Sequence, residues 1–300
     1  MLIDGHAHIY EYLKPYNRHG DGRAVGKGQI RWPNGRCEQF FPPEMGEFGI
    51  APEVLLDLLS EYRVDHAILL QSFNYGPQND FLLECSQRYP QKFTSAVLLD
   101  IACISQLEVL KNLYRRYRCK ILKLDAGNDW GLSGLHQHFH LTSESVLPWW
   151  EFLNNSGMTV VCDPGFGEKS FQLIGELLEI KKAFPALQLV LAHALFPQYQ
   201  DCRRDWEKFA ALGTYFDLSN ILDLSRSDCF AVSAQAVRDL CNIAGADHLI
   251  WGSDFPSALL HSQYQELLDY IPASGLFSVA ELEWIFGLSA VSAYRIEVKK

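Results

Sequence analysis

"MLIDGHAHIY" (residues 1–10) decides how the rest of the chain is read. A short apolar run leads directly into Asp4, His6 and His8. On a strand, residues two apart point to the same side, so His6 and His8 project together from the strand's C-terminal end. An open doubly wound sheet usually carries a Gly-rich phosphate turn after its first strand. This chain carries histidines there instead. Two imidazoles aimed at one point suit a divalent metal ion, although the pattern alone also fits a turn with two solvated histidines.

Seven further strand-like runs follow: 64–71, 93–100, 119–125, 158–163, 187–193, 214–220 and 248–254. Between them lie amphipathic stretches with apolar residues at i, i+3, i+4 and i+7, as in 105–117, 170–184 and 229–245. Two more helical segments, near 260–271 and 278–294, close the chain. Eight β-then-α repeats in 300 residues predict an α/β fold, a (β/α)8 TIM barrel. No internal repeat, low-complexity tract or linker divides the chain, so residues 1–300 read as one domain. The one long connection spans 9–52 and is rich in Gly, Pro and Arg. It is expected over the C-terminal face, where barrel active sites lie.

Three other strand ends are polar. Asp163 ends the fifth run ("VVCD"), His193 the sixth ("VLAH") and Asp254 the eighth ("WGSD"). A backbone-held core histidine would explain His193 alone, and a helix N-cap would explain Asp254 alone. In a closed barrel these ends ring one mouth, so with His6 and His8 they read as a single site.

The formal charge is −10, which argues against nucleic acid or an anionic membrane as the main partner. No run approaches the roughly 18 apolar residues of a membrane span. The N-terminus has no basic segment followed by an apolar one. The 8 cysteines are scattered without a C-x-x-C pair, which points to reduced thiols and a cytoplasmic setting.

Residues 14–36 nevertheless hold Lys14, Arg18, Arg23, Lys27, Arg31 and Arg36 against a single acid, Asp21. Arginine forks match carboxylates, so a small anionic substrate is expected, bound by Arg18, Arg23, Arg31 and Arg36. A solvated basic loop is the plain alternative. Trp32, Phe40, Phe41 and Phe48 either cover a pocket or pin this loop to the barrel rim. Lys123, in the fourth run, either joins the substrate-binding set or pairs with Asp125. "LHQHFHL" (135–141) offers His136, His138 and His140. It looks like a loop without partner acids in a tight pattern, so a second metal site is not expected there. One of these histidines in the substrate pocket is the functional reading.

The chain resembles the amidohydrolase superfamily, and within it the amidohydrolase-2 family. The resemblance rests on "IDGHAHIY", "VDHAILLQSFNYGPQNDFLLECSQRYPQKF", "LVLAHA", "YFDLS" and "WGSDFP". It implies a metal-assisted barrel enzyme, usually a hydrolase and sometimes a non-oxidative decarboxylase of aromatic or enol acids. It makes His6 and His8 metal ligands, Asp254 a ligand and proton carrier, and His193 a residue that ligates or polarises the substrate. The family usually has a histidine at the end of strand five, where this chain has Asp163-Pro164-Gly165. Aspartate can ligate too, so Asp163 joins the candidate ligands. An Asn-Ala pair often seen in the final helix reads Ser289-Ala290, a change expected to concern packing.

The resulting expectation is one divalent ion, zinc first and manganese second. The expected reaction is hydrolysis of a small carboxylated lactone, cyclic ester or amide, with Asp254 and His193 catalytic. Decarboxylation at the same metal, and an anion-binding barrel without turnover, are the alternatives. A homo-oligomer through the outer helices is compatible with the pattern, without a decisive apolar stripe to mark it.

Overall fold

The computed structural model describes residues 1–127 and 130–296. Each of the eight apolar runs contains a strand, and a helix returns the chain after each one, which makes neighbouring strands parallel. The strands are β1 (Ile3–Ala7), β2 (His66–Leu69), β3 (Phe93–Ser95 continued by Val97–Leu98) and β4 (Ile121–Asp125). They continue with β5 (Thr159–Asp163), β6 (Gln188–Leu191), β7 (Tyr215–Asp217) and β8 (Leu249–Ile250). The helices that follow them in turn are α1 (Pro52–Glu61), α2 (Asn79–Arg88), α3 (Gln106–Tyr117), α4 (Leu147–Ser156), α5 (Glu168–Ala183), α6 (Arg203–Ala210), α7 (Cys229–Ala244) and α8 (Tyr264–Ala273).

Strands pair in chain order from β1 to β8, with β3 shared between two ladders. Backbone hydrogen bonds then close the ring between β1 and the segment after β8. Gly5 donates to the Trp251 carbonyl at 2.9 Å, Asp254 to His6 at 2.9 Å and His8 to Phe255 at 2.7 Å. The glycines of the two terminal motifs explain this closeness. A Cβ on Gly5 would lie 2.8 Å from the Trp251 carbonyl oxygen, and one on Gly252 would lie 2.7 Å from the His6 Cβ. A Gly5→Ala substitution is therefore expected to cost about 1–3 kcal/mol of stability by overpacking. Urea unfolding of the metal-free protein checks this, and an unchanged midpoint would refute it.

The barrel interior is layered. Ile3, Ile68, Ile121, Val161, Val190 and Ile250 fill its lower part, together with Ala290, Ala293 and Tyr294 of the last helix (Ser289–Tyr294), which plugs the bottom. Ser289 is fully buried and donates to the Ala246 carbonyl at 3.1 Å, a packing role. Two or four residues further along β4, β5 and β8, the same inward side turns polar: Ile121 leads to Lys123 and Asp125, Val161 to Asp163, and Ile250 toward Asp254. On β1 the register shifts between Asp4 and Ala7. That irregularity lets both Ile3 and the His6–His8 pair face inward.

The long connection is more ordered than its composition suggests. Tyr16–Asn17 pairs with Gly20–Asp21, and Arg23–Gly26, Gln29–Arg31 and Cys37–Gln39 form an antiparallel sheet. Strands this short, joined by glycine turns, give little periodic signal. Trp32, Phe40 and Phe41 are buried, with Trp32 5.9 Å from the Trp130 ring and Phe40 6.1 Å from Tyr75. The 8 cysteines form no disulfide, and 5 of them are buried. Among the described residues, no helix is long and apolar enough to cross a membrane.

Candidate active site

At the C-terminal mouth, the polar inward residues line a cavity of about 330 Å³. Three side chains converge there. His6 Nε2 lies 3.0 Å from His8 Nε2, and Asp254 Oδ1 lies 3.2 Å from His8 Nε2 and 3.5 Å from His6 Nε2. All three residues are buried. Ligand atoms each roughly 2.1 Å from a tetrahedral ion stand about 3.4 Å apart, so the spacing fits one cation.

The hydrogen bonds behind the rings make the same point. His6 Nδ1 donates to Asp217, and His8 Nδ1 donates to the Leu70 carbonyl at 3.0 Å. In the neutral tautomers these bonds fix, both Nε2 lone pairs face each other and a carboxylate oxygen. Buried electron pairs opposed in this way need a shared cation or a proton between them. The donor set of two imidazoles and one carboxylate suits a divalent ion.

Burial raises the pKa of Asp254, but a hydrogen bond with His8 and the neighbouring His6 and His193 hold it well below the usual carboxylate range. Burial pushes the His6 pKa down, against the pull of Asp217. Burial likewise opposes ionisation of Asp217, which His6 nevertheless keeps below its ordinary value.

Four of the cavity residues that are not glycine occupy left-handed backbone: His193 (φ 55°), Phe196 (φ 56°), Asn220 (φ 50°) and Asp254 (φ 55°). Such strain concentrates at functional sites. His193 donates from Nδ1 to the Ser219 carbonyl at 3.0 Å, and its Nε2 lies 3.7 Å from Asp163 Oδ2. Lys123 donates to Asp125 at 2.7 Å and lies 3.9 Å from Asp163. Burial disfavours the Lys123 charge, but the Asp125 and Asp163 carboxylates overcome it and hold the ammonium above its ordinary pKa.

The structure thus brings His6, His8 and Asp254 into one cluster and sets Asp163 and His193 beside it as a facing pair. Among the described residues, these two form no three-ligand group of their own. Lys123, Asp163 and His193 line the cavity, but Arg18, Arg23, Arg31 and Arg36 do not. Arg23 pairs opposite Arg31 in the loop sheet, and Ala24 opposite Ile30. The apolar pair is buried, so strand alternation turns the arginines to solvent. Arg18 and Arg36 are exposed too. Nor do His136, His138 and His140 reach the cavity: His136 bonds Asp100 at 2.7 Å, His140 bonds Glu176 at 2.7 Å and His138 is exposed.

Sequence reasoning missed Asp217, Ser219, Tyr75 and Ser257. The rule that selects Asp163 and Asp254, a polar residue ending an apolar strand, also selects Asp217 in "YFDLS". Asp217 orients the His6 ring, and Ser219 Oγ bridges His6 Nδ1 (3.0 Å) and His193 Nδ1 (3.1 Å). An Asp217→Asn variant is expected to bind a divalent cation about 10–100-fold more weakly, since an amide can force the proton onto His6 Nε2. Zinc competition titration checks this, and wild-type affinity would refute it.

The amidohydrolase-2 family model, described as amidohydrolase, matches residues 3–296. The chain belongs to this family. Its relatives include hydrolases and decarboxylases, and its members use a divalent metal. Among solved structures, an amidohydrolase from Burkholderia multivorans with bound HEPES is 18% identical, with a TM-score of 0.72 over 99% of this chain and 100% of that one. A second structure of the amidohydrolase from that organism, with bound zinc, is 17% identical with a TM-score of 0.72, over 99% and 100% of the two chains. A probable 2-pyrone-4,6-dicarboxylic acid hydrolase from Acinetobacter baumannii, with citric acid bound, is 16% identical, with a TM-score of 0.68 over 98% and 99% of the two chains. No curated protein matches the chain in sequence. At these identities the structural likeness speaks for the barrel fold.

Proposed function

We propose that this amidohydrolase is a metal-dependent hydrolase of a small cyclic ester or amide, a lactone first. The observation that carries the reading is the cluster of His6, His8 and Asp254, whose facing donor atoms lie 3.0–3.5 Å apart. Zinc is the proposed ion: it suits two imidazoles and a carboxylate, and the similar Burkholderia protein was solved with zinc. When bound, a divalent cation supplies Lewis-acid chemistry, polarising a carbonyl and lowering the pKa of water.

The chain's own groups supply the rest. Asp254 is the proton acceptor for the attacking water, and His193, backed by Asp163, faces the leaving group as proton donor. Trp130, Phe166, Phe196 and Tyr75 flank the cavity and suit a flat ring. Among the described residues, Asp125, Asp163 and Asp254 share the cavity with the ammonium of Lys123. Even a divalent cation leaves no net positive charge among these groups, which favours a neutral or singly charged substrate over a dicarboxylate.

The test is metal analysis of the purified protein, followed by lactone and amide panels with and without chelator. Chelator-sensitive ring opening is the expected result. Protein without an ion and without chelator-sensitive turnover would overturn the proposal. Carbon dioxide release from hydroxybenzoates would move the assignment to decarboxylation. Tight anion binding without product would mark a non-catalytic barrel.

A further inference from the structure

We infer that Ser257 is a positioning residue whose hydroxyl fixes the Asp254 carboxylate and presents one of its oxygens to His6 and His8. This rests on the metal reading proposed above. Ser257 Oγ lies 3.0 Å from Asp254 Oδ2, the oxygen turned away from the imidazoles, while Oδ1 faces His8 at 3.2 Å. A carboxylate only accepts, so Ser257 donates to Asp254.

Asp254 follows β8 on left-handed backbone, beyond the regular ladder, so its side-chain torsion is not set by strand neighbours. With Oδ2 held, rotation that would swing Oδ1 away from the imidazoles breaks a charge-assisted hydrogen bond. Ser257 Oγ also lies 3.0 Å from the Asp254 carbonyl, so a purely local turn-stabilising role is the competing account. The two roles differ in what they change: the turn affects folding, whereas the carboxylate affects cation affinity.

The experiment uses the full chain stripped of metal and titrated with zinc against a chromophoric chelator. Ser257→Ala and Ser257→Thr are compared with wild type, and the melting temperature of each metal-free variant is recorded. Ser257→Ala is expected to weaken zinc roughly 10–100-fold, while Ser257→Thr restores binding to within about threefold of wild type. Metal-free melting temperatures should stay near wild type. Wild-type zinc affinity in Ser257→Ala, or a Thr variant as weak as the Ala variant, overturns the inference while leaving the metal reading standing. A wild-type chain that binds no divalent cation overturns both.

Discussion

A His8→Ala variant is expected to lose about a hundredfold in zinc affinity and to lose chelator-sensitive turnover with it. A zinc site of four protein ligands is worth about 10–16 kcal/mol, roughly 3 kcal/mol per ligand, and 1.4 kcal/mol is a factor of ten. The structure adds a second, less ordinary consequence. His8 is 3% exposed, and truncating a residue so deeply buried normally costs stability. Here the lost packing is offset, because the Leu70 and Asp217 hydrogen bonds force two Nε2 lone pairs to within 3.0 Å of each other beside Asp254. Removing one imidazole relieves that opposition when no cation is present. The metal-free variant is therefore expected to melt within about 4 °C of metal-free wild type, while the stabilisation that zinc gives wild type disappears. Calorimetry with and without zinc separates the two effects. A variant that keeps full zinc affinity, or a wild type whose melting ignores zinc, would show that the cluster is not a cation site.

The barrel and the cluster were legible in the sequence because both follow from local patterns. Strand ends and the two-residue period place His6 with His8, and the closing of an eight-strand ring places Asp254 beside them from nothing more than chain order. The loop arginines misled because their chemistry was read without their register. Arg23 and Arg31 alternate with the buried Ala24 and Ile30, and so must face solvent. Counting charges in a segment does not reveal which side of a short sheet they occupy. Ser257 and Ser219 were illegible for another reason: each acts through a single hydroxyl, and serine carries no periodic signature. His193 fell between the two cases. Its position at a strand end was readable, but its pairing with Asp163 depends on a left-handed turn over 193–196 that propensity does not predict for these residues.

Asp125→Ala is expected to be the most destabilising single change in the cavity wall, at about 3–5 kcal/mol, because it leaves a buried charge without its partner. Lys123 is 2% exposed and its ammonium donates to Asp125 at 2.7 Å, whereas Asp163 stands off at 3.9 Å. Asp125 also accepts from the Phe73 backbone at 3.0 Å, so its loss loosens the segment that carries Tyr75. Removing the other partner is gentler. In Lys123→Met the apolar stem remains, and Asp125 keeps the Phe73 hydrogen bond. The double variant Asp125→Leu with Lys123→Met removes both charges, and is expected to recover most of the stability lost in Asp125→Ala. Urea unfolding of the three metal-free variants measures this, with an unchanged m-value as the condition for comparing them. If Asp125→Ala costs less than about 1 kcal/mol, the ammonium has found water or Asp163 instead, and the pair is not what keeps Lys123 charged at the mouth. If the double variant is no better than the single one, Asp125 acts mainly as the anchor of the Phe73 segment.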